Sequence, residues 1–117
     1  QAPVIPVTDK VIREPDLVSV DIIVDFGEGY KKEWANVKVP KDSTVFEAMR
    51  ESGMIFDYSI QALGAFITSI EGLAESRSTG RYWQLWIDGG YAQLGVSNLK
   101  VTEGMTIEWR YTSSFFN

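Results

Sequence analysis

From Leu17 onward, apolar residues return at every second position, with Val18, Val20, Ile22, Val24 and Phe26 on one face and Ser19, Asp21 and Asp25 among those on the other. That period predicts a strand with one buried face. Gly27-Glu28-Gly29 supplies a turn able to take positive φ, and residues 31–39 alternate again, so the two runs predict a hairpin closed by Pro40. The period then changes. Thr44 followed three residues later by Glu47 is a capping box, Val45, Ala48 and Met49 share one helical face, and Gly53 is placed to end the helix in a left-handed conformation. Beyond it, residues 65–70, 82–87 and 106–112 predict three more strands, separated by turn signals at Glu71-Gly72, Asp88-Gly89-Gly90 and Glu103-Gly104. A hairpin, a helix and three further strands predict an α+β domain of β-grasp (ubiquitin-like) type. In it a mixed sheet carries one main helix packed on one face and leaves the other face and its loops free.

Residues 1–16 fit neither period and carry Pro3, Pro6 and Pro15, which reads as an extended N-terminal tether before a domain spanning 17–117. A chain that starts at Gln1 rather than Met points to a leader or upstream region, with the tether as spacer between a membrane and the domain. A loop or an added edge strand is the other reading of the same residues. No apolar run approaches the roughly 20 residues that span a bilayer, so no membrane insertion is expected of this segment.

At 117 residues the chain supports one hydrophobic core. A net charge of −5 with no run of Lys and Arg argues against nucleic acid as a partner. The absence of His and Cys removes imidazole and thiolate chemistry together. Ser69, Ser78 and Ser97 therefore have no His to serve as base, and no Gly-x-Ser-x-Gly elbow is present, so no enzymatic activity and no catalytic residue is expected. Asp21, Asp25, Glu28 and Asp88 come from separate segments without EF-hand spacing and read as solvated surface rather than a metal site.

Binding has better candidates. Tyr82-Trp83-Gln84-Leu85-Trp86-Ile87 sets Tyr82, Gln84 and Trp86 on one side of a strand and Trp83, Leu85 and Ile87 on the other. One set packs on the helix; the other must be covered or used. Any one of these rings is explained by a place in the core, but Tyr82, Trp83, Trp86, Tyr91 and Trp109 together exceed what one small core needs, and such rings suit flat or cyclic ligands. Residues 64–72 form a strand entered and left by glycines. They read either as a central strand close to its neighbours or as a source of open-face hydrogen-bonding groups at Thr68 and Ser69.

Four segments in this order, residues 64–72, Tyr82-Trp83-Gln84, Leu94-Gly95-Val96 and residues 103–109, resemble the C-terminal β-domain of the transcobalamin and intrinsic factor family. Residues 39–49 resemble that family's strand-to-helix junction, and the likeness covers about 17–112. The resemblance implies an extracellular or cell-surface domain that caps cobalamin or a related corrinoid against a second carrier domain, or passes it to a membrane transporter. It implies ligand contacts at Thr68, Ser69, Tyr82, Trp83, Gln84, Leu94, Gly95 and Val96. The chain departs from the full carriers in having no helical domain and no His for cobalt. Two other functions stand beside corrinoid binding: an adhesion or scaffold module of a surface protein, and a glycan-binding module using the aromatic platform.

Overall fold

A computed structural model describes residues 16–92 and 94–113. The tether expected at 1–16 thus lies outside the described residues except for Asp16, whose carbonyl accepts the Lys41 amide at 2.9 Å.

The alternating segment becomes β1 (Leu17–Gly27), which pairs antiparallel with β2 (Tyr30–Pro40). Val20, Ile22 and Val24 are sealed in the core, as their period required. The hairpin is not regular throughout. Its register shifts between Val20 and Ile22, where Asn36 takes positive φ and its amide donates to Asp21 Oδ1 at 2.9 Å. Helix α1 (Val45–Ser52) begins at the capping box: the Glu47 amide donates to Thr44 Oγ1, and the Thr44 amide donates to Glu47 Oε1 at 2.8 Å. It ends at Gly53, φ 83°, whose amide donates to the Arg50 carbonyl. Val45, Ala48 and Met49 form its buried face, set against β2.

Strands β6 (Tyr82–Ile87), β7 (Gly90–Tyr91) and β8 (Thr106–Thr112) complete a five-stranded mixed sheet in the order β2-β1-β8-β6-β7. Its one parallel pair among the described residues joins β1 to β8 at the centre. A second, three-stranded antiparallel sheet is made of β3 (Phe56–Gln61), β4 (Gly64–Ile70) and β5 (Leu73–Ala74). The fold is α+β with a mixed sheet and a helix, as expected, but the expected single sheet with three late strands is replaced by two sheets and three additional strands.

The small sheet is fastened to the inner face of the large one by polar groups as well as by packing. Trp83 Nε1 donates to the Leu73 carbonyl at 2.9 Å and the Tyr111 hydroxyl to the Ala74 carbonyl at 2.8 Å. Glu71, in the β4–β5 turn, accepts from Lys32 Nζ on β2 at 2.8 Å and from the Ile55 amide at 2.7 Å. The inner face is therefore shared between helix and small sheet, while Tyr82, Gln84, Trp86, Glu108 and Arg110 occupy the outer face.

Candidate functional site

A part-open cavity of about 180 Å³ lies where the small sheet meets β6 and β8. Ala65, Phe66 and Ile67 of β4 form one wall, Trp83 and Leu85 of β6 with Trp109 of β8 another, and Tyr91, Ala92 and Leu94 to Val96 close a third. Strand alternation explains the second wall: Leu85 pairs with Trp109, so both project to the inner face.

The third wall is loop backbone held at both ends. The Val45 and Phe46 amides in the first turn of α1 donate to the Leu99 and Val96 carbonyls at 2.8 and 3.1 Å, so the helix satisfies its otherwise unpaired amides with this loop. On its other side, Ser97 Oγ accepts the Ala65 amide at 3.0 Å and Asn98 Nδ2 donates to the Leu63 carbonyl at 2.9 Å. Gly64, φ 110°, sits under this joint, where a Cβ would run into the Ser97 hydroxyl. Leu94 is left 56% exposed at the rim, and Phe66 is 45% exposed.

Of the residues expected to contact a ligand, Trp83, Gln84, Leu94, Gly95 and Val96 line this cavity; Thr68, Ser69 and Tyr82 do not. Ser69 is buried and donates to Asp57 Oδ2 at 2.9 Å, so it belongs to the β3–β4 pairing rather than to an open face. Thr68 falls at the register shift of that pairing, and its carbonyl accepts the Glu75 amide. Tyr82 lies on the outer face, where loss of solvation first, and the neighbouring Tyr91 second, push its hydroxyl above its ordinary pKa against a lowering hydrogen bond with Gln84.

The roles of two cavity residues also change. Trp83 was expected to offer a stacking surface, but its ring is only 7% exposed, lying 4.9 Å from Tyr111 and edge-on to Phe26 at 6.0 Å. It is wall, not platform. Gln84 was expected to contact the ligand, yet its side-chain Oε1 accepts Trp86 Nε1 at 3.1 Å, on the side of β6 away from Trp83 and Leu85. On that face the Arg110 guanidinium lies 4.0 Å from the Trp86 ring and binds Glu108, and Tyr91 meets Trp86 edge-on. One face of the Trp86 indole is thereby occupied by a cation.

Sequence reasoning missed Ala65, Phe66, Ile67, Leu85 and Ala92 as lining residues; all but Phe66 are small or aliphatic side chains without a signal of their own. Tyr91 and Trp109 were singled out only as members of the aromatic group. Three of the four acidic residues weighed for a cation serve the backbone: Asp25 accepts the Gly27 amide and Asp88 the Thr106 amide, both at 2.8 Å, and Asp21 accepts the Asn36 amide. Among the described residues no three His, Cys, Asp or Glu side chains come together to hold a metal ion. No helix among them is long and apolar enough to cross a membrane.

Comparison with known proteins places this geometry in a family. The chain belongs to the family described as "Domain of unknown function (DUF4430)", which matches residues 42–113. No curated protein matches it in sequence. Haptocorrin, solved in complex with Cbi, is 24% identical with a TM-score of 0.74, the likeness covering 85% of this chain. This chain spans 26% of haptocorrin's length. A candidate metal-binding protein from Ruminococcus gnavus ATCC 29149 is 15% identical with a TM-score of 0.72, over 84% of this chain and 99% of the other. At these identities the two likenesses establish a shared fold.

Proposed function

We propose that this member of the family is a non-enzymatic, exported ligand-binding module on a β-grasp scaffold, with a corrinoid as its ligand. The β-grasp reading is supported by the hairpin, the helix after it, and the return of β8 parallel to β1 at the centre of the sheet. The observation that carries the binding reading is the cleft between β4, β6 and residues 94–96. Its walls are fixed by the helix and the small sheet, and it falls on five of the positions that the transcobalamin-like resemblance implies. Ligand sites are commonly concave, mostly apolar and preformed.

The corrinoid assignment is supported by the common fold with haptocorrin, solved with Cbi. Size limits how such a ligand would sit. A cavity of about 180 Å³ admits one ring or one side arm, not a macrocycle. The ring would lie across the mouth against Leu94, and one peripheral group would enter. A single domain covers only one side of a flat ligand, so binding would be weaker than in a carrier that closes on both sides. A second carrier domain or a transporter would supply the other side.

The test is a titration of the domain with cobinamide, followed by the corrin absorbance bands and by Trp fluorescence. Binding with saturable quenching is expected, and Leu94→Ser should weaken it about fivefold by removing roughly 1 kcal/mol of apolar contact. No spectral change at about 1 mM cobinamide, the weak end of specific binding, would sink the proposal.

An interaction module of a surface protein is the second reading, favoured by apolar side chains around the β3–β4 hairpin: Leu63 is 86% and Ile60 75% exposed. Glycan binding loses ground because Arg110 already covers one face of Trp86.

A further inference from the structure

Strand β3 is an outer strand of the small sheet, with β4 on one side and an open edge on the other. Such an edge offers amides and carbonyls to any strand that meets it, and proteins blunt it with lysines, prolines, bulges or shortness. The other edges among the described residues are blunted in this way. β2 carries Lys31, Lys32 and Lys38, a register shift and Pro40, and β5 and β7 have two residues each. β3 reads Phe-Asp-Tyr-Ser-Ile-Gln, with no lysine and no proline, and the extra residue at its register shift, Thr68, belongs to β4.

Which groups face the open side follows from the pairing. Ala65 stands opposite Ile60, and its amide goes to Ser97 Oγ, away from β3. Opposed residues of an antiparallel pair turn their backbone groups both inward or both outward. Ile60 therefore turns its amide and carbonyl out, and Tyr58, two residues back, does the same. Neither has a backbone hydrogen bond to a described residue outside the small sheet.

The side chains along this edge fit a second copy of themselves. Ile55, Tyr58, Ile60 and Leu63 are all exposed. Another β3 laid antiparallel, with Ser59 on the two-fold axis, sets Tyr58 opposite Ile60 and brings Ile55 toward Leu63. Each exposed apolar side chain then meets another, and aromatic with β-branched is a favourable cross-strand pair. The same register puts Asp57, the strand's one charged residue, opposite the Gln61 amide and keeps the two carboxylates roughly 13 Å apart along the strand. Neighbouring registers do worse: an axis at Ile60 sets Asp57 against Leu63, and an axis at Tyr58 sets Leu63 against Gly53.

We propose that β3 is a self-association edge, at which two copies of this chain join their three-stranded sheets into one six-stranded sheet centred on Ser59. The contact is one strand wide, so it belongs with small, transient interfaces, with a Kd on the order of 0.1 mM. It does not depend on a ligand in the cleft.

The chain has no cysteine, so single introduced cysteines report the register. Ser59 turns its backbone toward β4 and forms a non-hydrogen-bonded pair across the axis, with Cα atoms about 4.5 Å apart and within reach of a disulfide. The two Gln61 positions are offset by roughly 13 Å along the strand and are out of reach. Under mild oxidation Ser59→Cys is expected to form a covalent dimer about tenfold faster than Gln61→Cys. Sedimentation velocity of the wild-type domain should show a concentration-dependent dimer, and Ile60→Lys, at an exposed position, should weaken it about tenfold. A monomer up to about 1 mM would overturn the proposal and leave the edge to an extended segment of another protein. A dimer that Ile60→Lys leaves unchanged, or equal cross-linking at residues 59 and 61, would overturn it too, because the copies then meet elsewhere. Should Ile60→Lys fail to fold, the two cysteine variants still decide.

Discussion

Replacing Gly64 by Ala should damage both the fold and the rim of the cleft, by an amount that can be worked out from two separate terms. Gly64 has φ 110°, a conformation L side chains rarely adopt, and placing Ala there costs about 1–2 kcal/mol. The new methyl also meets the Ser97 hydroxyl, which must leave the Ala65 amide it accepts at 3.0 Å. Losing that bond adds about 1 kcal/mol, so Gly64→Ala should destabilise by roughly 2–3 kcal/mol. Ser97→Ala removes the bond alone and should cost about 1 kcal/mol. In the double variant the collision with the hydroxyl is gone and the bond is lost only once. Its cost should therefore fall short of the sum of the single variants by about 1 kcal/mol. Urea unfolding followed by Trp fluorescence reads all three values. Strict additivity, or a Gly64→Ala cost below about 0.5 kcal/mol, would refute the argument that hairpin and loop are joined at this point.

Three other perturbations have definite outcomes. Glu71 is held below its ordinary pKa of 4.5 by the Lys32 hydrogen bond first and the Ile55 amide second, against a smaller opposing effect of burial. A carboxylate with a depressed folded pKa stabilises the protein above its unfolded pKa and loses that contribution as pH falls through the folded value. Acid unfolding of the wild type should therefore show a loss beginning below about pH 4.5, and Glu71→Gln should flatten that part of the profile; an unchanged profile would contradict the bridge. Thr44→Ala removes the acceptor for the Glu47 amide and should lower stability by about 1 kcal/mol, with Thr44→Ser restoring most of it in the same denaturation assay. Trp83→Ala opens a core position and frees the Leu73 carbonyl, so a loss of about 3–5 kcal/mol is expected by calorimetry. A near-native melting temperature for that variant would mean that Trp83 is a surface platform after all.

Periodicity was enough for β1, α1, β6 and β8, because each packs side chains at a regular period against the core, and for β2 alternation and the glycine turn before it sufficed although only Val37 and Val39 are buried. Both bonds of the capping box and the left-handed Gly53 followed from residue type alone. Strand β3 also carries a signal, since Phe56, Tyr58 and Ile60 alternate with Asp57, Ser59 and Gln61. It is easily passed over because the strand is mostly exposed and buries no continuous face. That omission carries the misplacement of Ser69, whose hydroxyl is explained only by Asp57 on the neighbouring strand. Alternation likewise separates Trp83 from Gln84 but cannot say which side is covered. The cover is a two-residue strand, β5, whose carbonyls take the Trp83 and Tyr111 donors, and two residues are too few for any period. The cavity is less legible still, because it depends on a loop reaching the helix N-terminus and the β3–β4 hairpin at once.

The measurement that bears most directly on the cleft as the ligand surface is mapping of backbone amide shifts in the ¹⁵N-labelled domain during a cobinamide titration. Perturbations centred on Ala65, Ile67, Leu85 and Leu94 to Val96 are predicted, with the outer-face residues Glu108 and Arg110 unmoved. Shifts confined to that outer face, or an unperturbed spectrum throughout, would contradict the account.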